Sequence, residues 1–465
     1  MRTYSAFATL LALTSVSASP IQRREDGFIG IAAIQEGCPD THEIEVLIEA
    51  GDKDYIKASE LIKRVANNCT QIMSETENEQ FKFVTMKTTH GVHEALGAMV
   101  ETKAVSNSTK VTSRATQTGS PWGLQRISTS GGASGSPQGQ DFTYAFDDAK
   151  LGEGVDIYIV DTGVRTTHAV FNNRAKFGFS ATGSQTDGDG HGTHVAGTSA
   201  GLKFGVAQKA NIIAVKVLGD DGSGSSADTI SGIDYVIKQH TARKSQQGFV
   251  GSIISMSLGL GGRSDSLESA LEGATKAGIH ISVASGNEAT DACGSSPGAL
   301  GGSNSALVSV GAINIENTIS EFSNTGKCVD LYAPGEQILS SWNTGDNVIN
   351  FLSGTSMACP HVTGVLAYLM AEDPATLGQD PAALKEKLLS TARNGAITGN
   401  TNGGANLLLS NGADSKLQRL VKNWVVPDAN GDVPAEKRTS IWARDTSLNL
   451  DKRWELHSND SPLRF

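Results

Sequence analysis

The sequence predicts an α/β fold in which a mostly parallel central sheet is covered by helices on both faces, with a small α+β unit ahead of it. Two patterns carry that expectation. From Val155 onward, short runs rich in Val and Ile alternate with helical stretches, the order that produces parallel strands joined by crossover helices. Glycine is frequent, at 52 of 465 residues, and many of these glycines fall in short loops between apolar runs, where tight turns and close backbone approach need a missing Cβ.

In chain order, the first 18 residues carry one basic residue (Arg2), an apolar stretch from Ala6 to Leu13 and the small residues Val16 and Ala18. They read as a secretory signal cleaved near Ala18 and Ser19. That stretch is too short to span a bilayer, and so is Val362 to Met370. Passage through the secretory pathway agrees with three Asn-x-Ser/Thr acceptors for N-linked glycans, at Asn68, Asn107 and Asn459. The next segment is polar. Glu45 to Ile48 and Phe81 to Met86 look extended, while Ala58 to Val65 and Val92 to Met99 look helical, so a strand-helix-strand-strand-helix-strand unit is expected.

Beyond it, strands are expected at Val155 to Val160, Asn211 to Val217, Ser252 to Ser257, His280 to Ala284 and Leu307 to Ala312. Helices fit at Thr193 to Ala200, Ala227 to Gln239, Leu267 to Ala277 and Ser356 to Ala371. In such a sheet, active residues gather at the C-terminal ends of the strands. After about Gly412 periodicity fades; the tail carries Trp442, Trp454 and basic pairs at Lys437-Arg438 and Lys452-Arg453. Trimming at those pairs and retention of the tail stay equally open.

The formal charge of −11, with no block of Lys and Arg, argues against nucleic acid or an anionic membrane as partner. Five cysteines in an oxidising compartment leave at least one thiol unpaired within the chain.

Three short motifs carry the chemistry. Asp161 follows the apolar run Val155 to Val160 in VDTGV, His191 stands in GHGTHVAG, and Ser356 opens an apolar helix in GTSMACPH. A serine hydroxyl is a poor nucleophile until a base takes its proton and an anion orients that base. Pro360 is expected in the first turns of the helix, where a missing N–H is tolerated. Its N-terminus would stabilise an oxyanion beside Ser356. His191 and His194 both qualify as the base, and a metalloprotease helix would instead need His-Glu-x-x-His.

The order Asp, His, Ser with these flanking residues resembles the subtilases, peptidase family S8, and within them the fungal proteinase K and cerevisin branch. The likeness is strong from Pro121 to Ala392, and the Pro121-Trp122 segment resembles the start of mature enzymes of that branch. The resemblance implies a subtilisin-like three-layer fold and a serine endopeptidase of broad specificity, working on proteins and peptides through an acyl-enzyme. It implies a signal peptide (1–18), an inhibitory, chaperone-like propeptide (19–114), a catalytic domain (115–412) and a C-terminal extension (413–465). It implies Asp161, His191 and Ser356 as the triad and Asn287 as oxyanion donor, with His194 structural. The resemblance also implies that Gly222, Ser223 and Gly224, Ser257, Leu258 and Gly259, and Ala284, Ser285 and Gly286 line the substrate cleft, in part as strand ends that pair with an extended peptide. Asp161 and Asn287 should end neighbouring strands.

Cys293 and Cys328 match paired cysteines of the branch, Cys38 and Cys69 fall in the propeptide, and Cys359 remains the free thiol, packed one helical turn beyond Ser356. Val195 stands where a cysteine often follows the second histidine. No cofactor is required and no metal ligand is assigned. The resemblance implies a structural calcium at Asp330, but the loop from Pro297 to Val308 is longer than the family segment that would complete the site, and an oxygen-ligand calcium site elsewhere in the chain stays open. A monomer is expected, with its own propeptide as inhibitor and either an extracellular or a vacuolar destination.

Overall fold

The computed structural model describes residues 38, 41–48, 58–77, 82–99, 102–108, 115–147, 150–413 and 455–456. The expected signal segment, Asn459, Trp442, Trp454 and both basic pairs lie outside them. Two compact units divide the chain, Met1–Val111 and Thr112–Phe465.

The first unit has the expected order: β1 (Thr41–Ile48), α1 (Ala58–Lys63), β2 (Gln71–Glu77), β3 (Lys82–Thr89), α2 (His90–Gly97) and β4 (Thr102–Asn107). Its four strands pair antiparallel in the order β2-β3-β1-β4. Ile44, Val46 and Ile48 of β1 alternate with more exposed residues, as do Val84 and Met86 of β3. One face of the sheet therefore packs on Leu61, Ile62, Val92 and Leu96 of the two helices. A Cys38–Cys69 disulfide ties the approach to β1 to the turn before β2. Asn68 in that turn and Asn107 at the end of β4 are exposed.

The second unit opens with an antiparallel hairpin, β5 (Ala115–Ser120) and β6 (Phe142–Phe146), flanking α3 (Trp122–Ser128). Then follow β7 (Val155–Asp161), β8 (Ala175–Ser180), α4 (His191–Ala200), β9 (Asn211–Lys216), α5 (Ser226–Arg243), β10 (Gly251–Met256), α6 (Asp265–Lys276), β11 (His280–Ala284) and β12 (Val308–Ile313). After β13 (Leu331–Pro334) come the hairpin β14 (Ile338–Ser341) and β15 (Val348–Leu352), then α7 (Thr355–Glu372), α8 (Pro374–Leu377), α9 (Pro381–Thr391), β16 (Arg393–Asn394), β17 (Leu407–Leu408) and β18 (Glu455–Leu456). Glu455 and Leu456, in the tail for which the sequence predicts no element, pair in parallel with Val348 and Ile349.

Nine strands form the central sheet in the order β16-β17-β13-β12-β11-β10-β7-β9-β8, with one antiparallel pair, β16 with β17. Strands β7, β9 and β10 each feed two cores. Ile157 and Ile159 of β7 and Ile212 and Ala214 of β9 join the α4 and α7 side. Tyr158, Val160, Ile213 and Val215 join the α5 and α6 side. Burial on both faces explains the Val- and Ile-rich runs. The five strands and four helices expected from the sequence are all present, with ends shifted by a few residues. One adjacency differs. Asp161 ends β7 and Asn287 follows β11, and β10 lies between these strands.

Helix α7 is buried from Thr355 to Ala371 and runs beneath the sheet against α4. Gly364 makes that approach fit, because a Cβ there would lie 2.5 Å from the Val206 Cβ and 2.8 Å from the Ser199 carbonyl. Gly364→Ala should destabilise the second unit by about 1–2 kcal/mol despite its better helix propensity. Thermal unfolding of an inhibited sample checks this; unchanged or higher stability would contradict the close packing.

Candidate active site

Asp161 closes β7, a buried strand, with its carboxylate out of contact with water. A buried carboxylate needs partners, and the backbone N–H of Thr162 donates to Oδ1 at 2.7 Å. His191 begins α4, and its Nδ1–H donates to Asp161 Oδ1 at 2.8 Å and Oδ2 at 3.0 Å. Neighbouring Gly192 permits this, since a Cβ there would stand 2.0 Å from the Gly163 carbonyl oxygen. Burial disfavours the imidazolium, but the charge and hydrogen bond of Asp161, aided by Asp189 and Asp187, outweigh it and hold the His191 pKa above 6.5.

Two residues that the sequence analysis did not single out hold this pair. Asp187 accepts from Thr162 Oγ1 and the Gly190 N–H on one oxygen, and from the N–H and hydroxyl of Thr193 on the other. It joins the end of β7 to the start of α4. Asp189 Oδ1 accepts from the His191 N–H at 2.9 Å. Their signal was the acidic Asp187-Gly188-Asp189-Gly190 immediately before the histidine, where carboxylates can cap a helix start. His194 is fully buried and donates from Nε2 to the carbonyls of Ile338 and Asn350. Burial drops its pKa to about 3, so it stays neutral.

Ser356 is the second residue of α7. Pro360 sits deeper in the helix than the sequence suggested, at a position whose N–H would ordinarily bond the Ser356 carbonyl. Ser257 takes over that bond: its hydroxyl donates to Ser356 O at 2.8 Å, while Ser356 Oγ donates to Ser257 O at 3.2 Å. Asn287 Oδ1 accepts from Thr355 N at 2.8 Å and Thr355 Oγ1 at 2.9 Å, which fixes the plane of its carboxamide. Cys359 is buried, with Ser282 Oγ 3.4 Å from its sulfur, and burial raises its pKa. The thiol is packed and protonated.

An open cleft of about 470 Å³ is lined by His191, Ser356, Asn287, Gly222, Ser223, Gly224, Ser257, Leu258, Gly259, Ala284 and Gly286. Asp161 stands behind His191, outside the lining. Ser285 turns away: it is buried and its hydroxyl donates to Asn324 O. Gly222 and Ser223 occupy a tight turn closed by the Gly219 N–H on Ser223 O, 2.7 Å away, and Gly224 pairs antiparallel with Leu218. Asn324, also missed, pins the Asn287 loop by accepting from the N–H groups of Glu288 and Thr290 and donating to Ser285 O. It lies far along the chain from the loop it holds, so spacing offered no signal.

The calcium implied at Asp330 does not fit these residues. Lys385, from α9, places its ammonium 2.8 Å from Asp330 Oδ1 and donates to the carbonyls of Gly302, Ser305 and Leu307 at 2.7, 2.9 and 2.7 Å. The other carboxylate oxygen accepts from Ser309 N at 2.8 Å. Three carbonyls and a carboxylate form the oxygen shell that a hard cation prefers, and a lysine already fills it. Lys385→Met should cost about 3–5 kcal/mol by stranding a buried carboxylate. Adding Asp330→Asn should recover part of the loss in thermal unfolding; a neutral Lys385→Met would show that the pair is dispensable.

The subtilase family model matches residues 152–415. The chain is 42% identical over 318 residues to a cuticle-degrading serine protease of Arthrobotrys oligospora, covering 67% of this chain and 73% of that protein. It is 41% identical over 309 residues to alkaline protease 2 of Aspergillus fumigatus, covering 63% of this chain and 61% of that protein. A cold-adapted subtilisin-like serine proteinase of known crystal structure superposes with a TM-score of 0.55 at 37% identity, over 63% of this chain and 99% of that one. The fold of the second unit is subtilisin-like, and the chain belongs to the subtilase family of serine endopeptidases.

Proposed function

We propose that the chain hydrolyses peptide bonds through Ser356 as nucleophile, His191 as general base and Asp161 as the group that orients and stabilises the imidazole. The observation that carries this is the His191 Nδ1 to Asp161 contact at 2.8 Å, with His191 facing the cleft that Ser356 lines. With Nδ1–H committed to the carboxylate, the neutral ring keeps its lone pair on Nε2 and takes the Ser356 proton as Oγ attacks the scissile carbonyl. The negative oxygen then meets the Ser356 N–H at the start of α7 and the Asn287 amide. His191 returns its proton to the leaving amine, and water, activated by the same base, hydrolyses the acyl-enzyme. Main-chain pairing along Ser257 to Gly259 supports broad specificity.

We further propose that the first unit is a propeptide that restrains the second until a cut near Arg114 and Ala115. The break between compact units at Val111 and Thr112, just before β5, supports that position. A secretory route, ending outside the cell or in a vacuole, agrees with the apolar first 18 residues and the exposed acceptors Asn68 and Asn107.

Ser356→Ala should lower casein hydrolysis by a factor on the order of 10⁶, the magnitude known for a subtilisin relative, and should leave the N-terminal unit attached. Full activity in a folded, uncontaminated sample would sink the mechanism. Asn287→Ala should lower kcat by about 10²–10³ with KM little changed. The base must be neutral, so kcat/KM should rise with pH through a midpoint above 6.5. Asp161→Asn should reduce kcat by about 10⁴ and move that midpoint down; an unmoved acid limb would assign it to another group.

A further inference from the structure

We propose that His42, His90 and His93 in the N-terminal unit form a binding site for a divalent transition-metal ion of the zinc class. The site stands independently of the catalytic assignment, and its residues are remote from Asp161, His191 and Ser356 in sequence. His42 lies near the start of β1 in register with Thr88 of β3. Strand β3 runs directly into α2, whose first residue is His90, and His93, three residues on, shares that side of the helix. One strand end and one helix start thus bring three imidazoles together.

The spacing suits a shared ion. The three ligand nitrogens all lie within 4.8 Å of one another, and His42 Nε2 is 2.9 Å from His93 Nδ1. In a tetrahedral site with Zn–N bonds of about 2.0–2.1 Å, ligand nitrogens stand about 3.3 Å apart. The widest gap therefore has to close by only about 1.5 Å, which side-chain torsions can supply. Neutral imidazoles suit zinc, copper, nickel or cobalt rather than calcium or magnesium, which prefer oxygen.

The surroundings agree. Glu43, Asn107 and Ser108 complete the lining of this pocket, which contains neither lysine nor arginine. Glu94 sits 3.4 Å from His90 Nε2, where a carboxylate can orient a ligating ring. The remaining coordination positions are open to water or to Glu43. Among the described residues this is the group of His, Cys, Asp and Glu that meets metal-ligand spacing. An ion there joins β1 to the start of α2 and stabilises the folded unit, because the unfolded chain does not keep the three rings together.

The test uses the full chain carrying Ser356→Ala, without an affinity tag and stripped of metal. Zinc is titrated near neutral pH in competition with a chromophoric chelator, and cobalt(II) is followed by its visible absorption. One zinc per chain is expected, with cobalt bands of a four- or five-coordinate nitrogen site. His90→Ala and His93→Ala should each weaken zinc by at least about tenfold, and calcium should not compete. The His90 side chain is 77% exposed, so its removal leaves the fold intact and keeps the test decisive. Substoichiometric binding, or affinity unchanged in both variants, would overturn the proposal. Asn107→Gln, run in parallel, separates the ion from any glycan on the pocket rim; persistence of zinc binding in that variant is the expected result.

Discussion

A carboxylate at the end of a strand buried on both faces is tolerable only when its charge is answered at close range, and much of the local architecture around Asp161 answers it. The Thr162 N–H and the His191 ring take up its oxygens. Asp187 then binds both flanks of that contact, from Thr162 to Thr193. Lys216, opposite Asp161 in β9, turns its buried ammonium to the Thr162 carbonyl and to Asp220. In a low-dielectric interior these interactions strengthen one another, and each would be costly if left half made. The interior position of β7 in the sheet thus constrains where α4 begins.

The second constraint lies in α7. Pro360 removes one rung of the helix and Ser257, from the loop after β10, replaces it. The helix that carries the serine is therefore hydrogen-bonded to the strand end that borders the cleft. Thr355 ties the same helix start to Asn287 beyond β11. Both contacts run between segments distant in the chain, and both hold backbone that lines the cleft.

The central strands were legible because burial on both faces leaves a composition that few other environments tolerate. Asp161, His191 and Ser356 stand out in the sequence because each sits in a short motif of distinctive residues. The placement of β10 between β7 and β11 was not legible, since strand order depends on crossover geometry rather than on any local pattern. Asn324 and Lys385 escaped for a related reason. They bond backbone groups of segments far along the chain, and such contacts leave no periodicity. Pro360 was seen, but its consequence for Ser356 required knowing where α7 starts. The inward turn of Ser285 could not be told from Gly286 beside it, because a loop imposes no alternation.

Lys385 has a consequence of a different kind. A dissociable ion fills its site to an extent set by the medium, so a shell built for one makes loop order a function of dissolved cation. Here the cation is carried on α9 as a side chain, and its local concentration is determined by chain geometry. The loop between β11 and β12 is then organised as soon as α9 docks, in any compartment, however little calcium it holds. What such a design gives up is responsiveness: the segment cannot be loosened by withdrawing a metal, only by displacing the helix that bears the charge.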